Sequence, residues 1–306
     1  MEMASLQIQI FLLLVVGYVL AKKGYFDKET RKQVTNIILT VVLPCAIIKS
    51  FQLKLTRELL ISTITVLLIS MGIQIMCSFL NLFLWNRVEG NKKICCKYGT
   101  MVPNGSYMGM PIVESVYGPM GLLYASVFLI PQRIVMWSAG ISLFAGKGEK
   151  NNIAKKVLTH PCIVSIYIGV VLMLLGSVGI VPPKPINKTI AAIGQCNTAL
   201  SMFVIGGILS EVNVKEIFNK TAIIFSAVRL IIIPMIIFVF VRFILPVEEL
   251  PGNVCVVLTG MPAASATAML AQKYDVDPGF ASKIIFVSTV FSLITLPLIT
   301  ILLEYV

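Results

Sequence analysis

Ionisable side chains are scarce in this sequence and histidine is all but missing. The 306 residues carry 14 Asp and Glu, 25 Lys and Arg and one His, so only 13% are charged, against about 25% in ordinary globular chains. Catalysis inside a helical bundle needs a nucleophile with a base, paired carboxylates or a metal set. The chain offers one histidine, His160, no acidic pair in the middle of an apolar stretch, and no HExxH or GxGD motif. An enzyme is therefore not expected. The seven cysteines are an odd number with no CxxC spacing, and Cys45, Cys77, Cys162, Cys196 and Cys255 sit in apolar stretches. That pattern suits small apolar packing and gives no zinc or disulfide framework. Neither a metal nor a cofactor is expected.

What the chain does have is hydrocarbon: 57% of its residues are hydrophobic and the mean hydropathy is +0.92. Apolar stretches of about 18 residues or more read as membrane spans, and ten occur, near 3–21, 33–51, 59–85, 94–115, 119–144, 161–181, 188–210, 221–245, 252–273 and 280–304. The expected fold class is an all-α integral membrane bundle of ten transmembrane helices, with no soluble domain and the lipid bilayer as its solvent. Residues 1–21 lack a preceding basic residue and a small-x-small cleavage site, and read as a retained first span.

The net charge of +11 resembles a nucleic-acid signature until the basic residues are placed. Sixteen lie in alternate connections: Lys22, Lys23, Lys28, Arg31 and Lys32; Arg87, Lys92, Lys93 and Lys97; Lys147, Lys150, Lys155 and Lys156; Lys215 and Lys220; and Lys273. The intervening connections hold five, Lys54, Arg57, Lys184, Lys188 and Arg242. The positive-inside rule then puts the rich connections in the cytoplasm and both termini outside. No nucleic-acid partner is expected; a minor affinity of these loops for anionic lipid headgroups is.

Ten spans with both ends on one side suit two inverted five-span repeats, 1–150 and 151–306, in one membrane unit. "GYVLAKKG" (17–24) resembles "GVVLMLLG" (169–176) at an offset of 152, and "YGPMGLLYAS" (117–126) resembles "YDVDPGFAS" (274–282) at 157 falling to 156. Inverted repeats mark transporters. Helix breakers lie in corresponding spans: "VPNGSYMGMP" (102–111) in the fourth and "TGMPAASAT" (259–267) in the ninth. Broken backbone at membrane depth is tolerated only where protein buries it or it lines a cavity, and half-helix ends there build substrate and ion sites. Aligning the two breaks on Pro111 and Pro262 is imperfect, because Pro111 precedes Tyr117 by six residues and Pro262 precedes Tyr274 by twelve.

"NGSYMGMPIVESVYG" (104–118), "NIILTVVLPCAII" (36–48) and "GMPAASATAMLAQKYDVDPGFAS" (260–282) are similar to segments of the auxin efflux carrier family, which includes bacterial malate-permease-like proteins and plant PIN-type auxin carriers. The resemblance runs over essentially the whole chain. It implies the two-repeat fold of the bile acid/sodium symporters, with spans 4 and 9 crossing at their prolines and the substrate beside the crossing. Asn104 and Pro111 match the family's span-4 motif and Pro262 its span-9 motif. Two departures stand out: His160-Pro161 replaces the usual Asn-Pro, and "NTALSMFVIGG" (197–207) lacks a proline to pair with Pro44.

The expected function is secondary transport of a small organic anion, malate-like or auxin-like, across the plasma membrane by alternating access. A sodium-coupled symporter of the bile acid type and a passive uniporter or channel stand as alternatives. Expected substrate-binding residues are Asn104, Gly105, Pro111, Arg133, Gly260 and Pro262. Glu114 is the candidate site for a coupling proton or sodium ion, because an ionisable group inside a span is costly. Arg133 could clamp a substrate carboxylate or pair with Glu114. Arg229 reads equally as a carbonyl clamp or a functional cation, Lys49 and Lys283 as snorkelling residues, and His160 as a helix-entry residue. A homodimer is left open.

Overall fold

Leucine, isoleucine and valine runs with few breakers can pair their backbone groups locally as helices, and in lipid they must do so. In the computed structural model the described residues are 2–145, 158–210, 219–245 and 247–305, and their one β pairing is an isolated bridge between Pro103 and Ala263. Thirteen helices are named here: α1 Glu2–Lys22, α2 Lys28–Ser50, α3 Arg57–Leu80, α4 Asn91–Met101, α5 105–117, α6 119–137, α7 Ala139–Ala145, α8 Pro161–Ser177, α9 Lys184–Leu209, α10 Lys220–Ile244, α11 Glu249–Thr259, α12 Ala266–Lys273 and α13 Pro278–Tyr305. They fall on the ten apolar stretches. The basic residues Lys147, Lys150, Lys155, Lys156 and Lys215 lie outside the described residues.

Among the described residues six helical runs are long and apolar enough to cross a membrane: Lys28–Ser50, Arg57–Leu80, Gly105–Phe144, Lys184–Ile208, Lys220–Ile244 and Pro278–Tyr305, with Phe11–Lys22 and Pro161–Ser177 shorter. Six is fewer than ten for visible reasons. The fourth and ninth stretches are each cut in two by a break, and the second half of the fourth runs into the fifth. That junction is one residue, Gly118, at φ 65° and ψ −161°, a conformation that only glycine adopts readily. Side chains on the outer faces, such as Ile75 (70% exposed) and Ile294 (63%), are apolar, as a lipid solvent requires.

The helix entries follow ordinary capping chemistry. Asp27 accepts the Thr30 N–H at 2.8 Å to start α2, and Asn219 accepts the Ala222 N–H at 3.0 Å to start α10. His160 is a helix-entry residue as expected: its Nδ1 accepts the Cys162 N–H at 3.3 Å and Pro161 opens α8.

Contacts divide the chain into two compact units, Met1–Ile64 with Ser106–Val127 and Leu158–Val212, and Thr65–Gly105 with Phe128–Val157 and Asn213–Val306. In the first unit, α1 packs most extensively on α9, and α9 and α8 pack on α2. Small residues set these distances. A Cβ on Gly206 would strike the Leu14 carbonyl and lie 2.9 Å from the Tyr18 nitrogen, while a Cβ on Gly17 would strike the Phe203 backbone. In the second unit, α13 packs on α10, α12 and α4. Asn81 Nδ2 donates to the Lys97 carbonyl at 2.9 Å and Trp85 Nε1 to Thr100 Oγ1 at 3.0 Å, fastening the chain after α3 to α4.

Cys95 and Cys96 flank the basic residues after α3 but are fully buried, so neither can report sidedness to a bulky thiol reagent. Asn91 is exposed in the same connection. Asn91→Cys, in a background without the native cysteines, is expected to resist an impermeant maleimide in intact cells and to react after permeabilisation; labelling in intact cells reverses the assigned orientation. Gly206→Ala is expected to lower the melting temperature of the purified protein. Gly72→Ala, where a Cβ meets nothing within 4 Å, is expected to leave it unchanged or raise it slightly through helix propensity. Equal effects of the two substitutions would show that the close approach of α1 and α9 is unimportant.

Candidate functional site

Pro103 has no N–H to give, and the Asn104-Gly105 pair after it is turn chemistry, so α4 stops at Met101 and the chain runs extended through 102–104. Gly260 and Pro262 stop α11 in the same way, and α12 restarts at Ala266. Both breaks lie in the second unit and pair with each other. Asn104 N–H donates to the Pro262 carbonyl at 2.7 Å, Ala264 N–H donates to the Val102 carbonyl at 3.2 Å, and Pro103 stands opposite Ala263. Each break therefore supplies the partners that the other lacks.

Side chains from α6 and α13 close the remaining bonds. Gln132 Nε2 donates to the Pro103 carbonyl at 2.6 Å, and Ser288 Oγ accepts the Ala263 N–H at 3.2 Å while donating to the Ile284 carbonyl at 2.6 Å. Leaving such a group unpaired in hydrocarbon costs several kcal/mol.

The proline at the crossing is Pro103, eight residues before the expected Pro111. Pro111 lies inside α5, two residues past the π-helical turn Gly105–Gly109. The change also reduces the misalignment of the two breaks from six residues to two. Pro103 precedes Tyr117 by 14 residues and Pro262 precedes Tyr274 by 12. Both proline and tyrosine offsets, 159 and 157, now lie near half the chain length of 306.

The expected site residues divide between the units. Asn104, Gly105, Arg133, Gly260 and Pro262 belong to the second unit, Pro111 and Glu114 to the first. The Asn104 side chain is half-buried and its amide bonds no described residue, so it does not cap α5 and is available to a ligand. Gly105 is buried against α6, where a Cβ would lie 2.5 Å from Leu129 Cδ2 and 3.3 Å from Gln132 Oε1. Gly260 caps α11 with an ordinary φ of −78°; what it supplies is space, since a Cβ would lie 3.0 Å from Ile299 Cδ1. Arg133 is 2% exposed, next to the Gln132 that holds the crossing.

Glu114, in the first unit, accepts a hydrogen bond from Asn197 Nδ2 of α9 at 2.9 Å, and Thr198 Oγ1 reaches the Pro111 carbonyl at 3.4 Å. Asn197 is fully buried. Sequence reasoning missed it, together with Pro103, Gln132 and Ser288. An asparagine in an apolar helix was the available signal for Asn197, whereas nothing in the sequence marks residues 83 positions apart as partners.

Residues 4–300 match the family described as membrane transport protein. The chain is 25% identical over 298 residues to an uncharacterized transporter of Methanothermobacter thermautotrophicus, covering 95% of each chain. It is 24% identical over 296 residues to an uncharacterized transporter of Methanocaldococcus jannaschii, covering 94% of this chain and 95% of that one. With a match from one end to the other and the broken helices its motifs implied, the chain belongs to the membrane transport protein family, the auxin efflux carriers.

Proposed function

We propose that this multi-pass membrane protein is a secondary carrier that moves a small organic anion across the plasma membrane by alternating access, with the anion held beside the crossing of the two broken helices. The observation that carries the proposal is the reciprocal pairing of Asn104 with Pro262 and of Ala264 with Val102. It opens two helices and presents the start of α12, whose first N–H groups and dipole favour an anion. The half-buried Asn104 amide adds a donor, and Arg133, next to Gln132 in the sequence, is the candidate guanidinium for bidentate carboxylate contact.

The division into units supports an inverted repeat of spans 1–5 and 6–10. The first unit draws α1 and α2 from one half and α8 and α9 from the other; the second holds both breaks, with Gln132 and Ser288 at an offset of 156. In this scheme alternating access exposes the crossing to one side and then the other, and Glu114 with Asn197 is the place to look for a coupling proton.

Uptake of dicarboxylates and aromatic acids into proteoliposomes, with and without imposed proton and sodium gradients, tests the carrier directly. Saturable uptake with counterflow is expected; unsaturable flux without counterflow would identify a channel. Asn104→Ala is expected to weaken binding of the transported anion about 10- to 100-fold, the loss of one hydrogen bond to a charged group, with folded yield intact; unchanged affinity removes Asn104 from the site. Arg133→Lys keeps the charge and loses the fork. Weaker carboxylate binding in a folded Arg133→Lys protein is the expected result, and unchanged affinity together with an unfolded Arg133→Ala protein would assign Arg133 to the scaffold.

A further inference from the structure

Helix C-termini leave four carbonyls without an intrahelical donor and carry about half a negative charge. At the crossing two such ends meet in one unit, those of α4 and α11. Several end carbonyls have backbone partners, Tyr98 through the Val102 N–H, Val256 and Val257 through the Gly260 N–H and Leu258 through the Met261 N–H, and beyond the helix ends Val102 is bonded by Ala264, Pro103 by Gln132 and Pro262 by Asn104. Thr100, Met101 and Thr259, the last residues of the two helices, line one small cavity with Gln74, Cys77 and Arg229. Arg229 is 1% exposed. It sits in a π-helical turn of α10, Val228–Ile232, an irregularity frequent at functional sites. Among the described residues its Nε and Nη1 have no hydrogen-bond partner, nor has Gln74 Oε1. No acidic residue lines this cavity.

We propose that Arg229 is the resident cation of the crossing. A guanidinium stays protonated in proteins. Lining the same tight crevice as the last residues of two half-helices, it neutralises their negative ends at the depth where a carrier would otherwise recruit a metal cation from solution. The crossing therefore assembles without bound sodium or potassium, and a carrier built on it binds its anion independently of either ion. Arg229 acts here as a positioning residue, through the half-helices and not by touching cargo. The inference rests on the crossing itself, so it stands or falls separately from any finding about which anion is transported.

The test is thermal unfolding of the purified full-length protein in detergent, with sodium, potassium or N-methylglucamine chloride at equal ionic strength. The native protein is expected to melt at the same temperature in all three; a sodium- or potassium-specific rise would overturn the proposal by revealing a recruited ion. Arg229→Lys is expected to retain most of the stability and Arg229→Met, of similar bulk but uncharged, to melt about 5 °C or more lower. Free guanidinium at low millimolar concentration, but not choline, is expected to restore part of the loss in Arg229→Ala. Equal melting of Arg229→Met and the native protein would reduce Arg229 to a space-filler and sink the idea. If neither neutral variant yields folded protein, the yield of Arg229→Lys decides: folded material supports the charge, and failure equal to that of Arg229→Met refutes it.

Discussion

In hydrocarbon a backbone N–H or carbonyl has no water to fall back on, and a chain that interrupts two of its helices there must find each freed group a partner inside the protein. The pairing of 102–104 with 262–264 meets that requirement. Much else in the second unit follows from it. Gln132 on α6 and Ser288 on α13 are polar residues in apolar helices because the pairing leaves one carbonyl and one amide to be bonded from outside. Gly105 is small because α6 lies against it.

The first unit answers to a different constraint, closeness of approach. Without a hydrophobic drive between helices in lipid, association depends on van der Waals contact, and Gly17 and Gly206 let the backbones of α1 and α9 nearly touch. Its polar contacts include the bonds of Asn197 to Glu114 and of Thr198 to the Pro111 carbonyl. One unit is thus organised by hydrogen bonds between interrupted chains, the other by glycine seams between unbroken ones.

The helices and the presence of two breaks were legible in the sequence, because apolar length and the Asn-Gly and Gly-Met-Pro interruptions are local signals. Which proline makes the crossing was not. Pro103 and Pro111 look alike as letters, yet the first follows the end of a helix and the second lies inside α5 just past its π-helical turn; only the strand-like pairing with Ala263 separates them. Glu114 was legible as a costly charge, whereas its partner across 83 residues was not. Burial also changed the meaning of Cys95 and Cys96, which lie among the lysines of this connection and are themselves fully buried.

Gln132 and Ser288 stand at corresponding places in the two proposed repeats, 156 residues apart, and they share neither size nor chemistry. One donates a hydrogen bond to a carbonyl and the other accepts one from an amide N–H. Any comparison of the halves by residue identity scores this position as a mismatch. What the two halves share there is parity: each break receives one bond from the neighbouring intact helix, and the direction of that bond is free to reverse. If the halves are repeats, their kinship is better sought in the count of satisfied backbone polar groups at each break than in the letters that satisfy them.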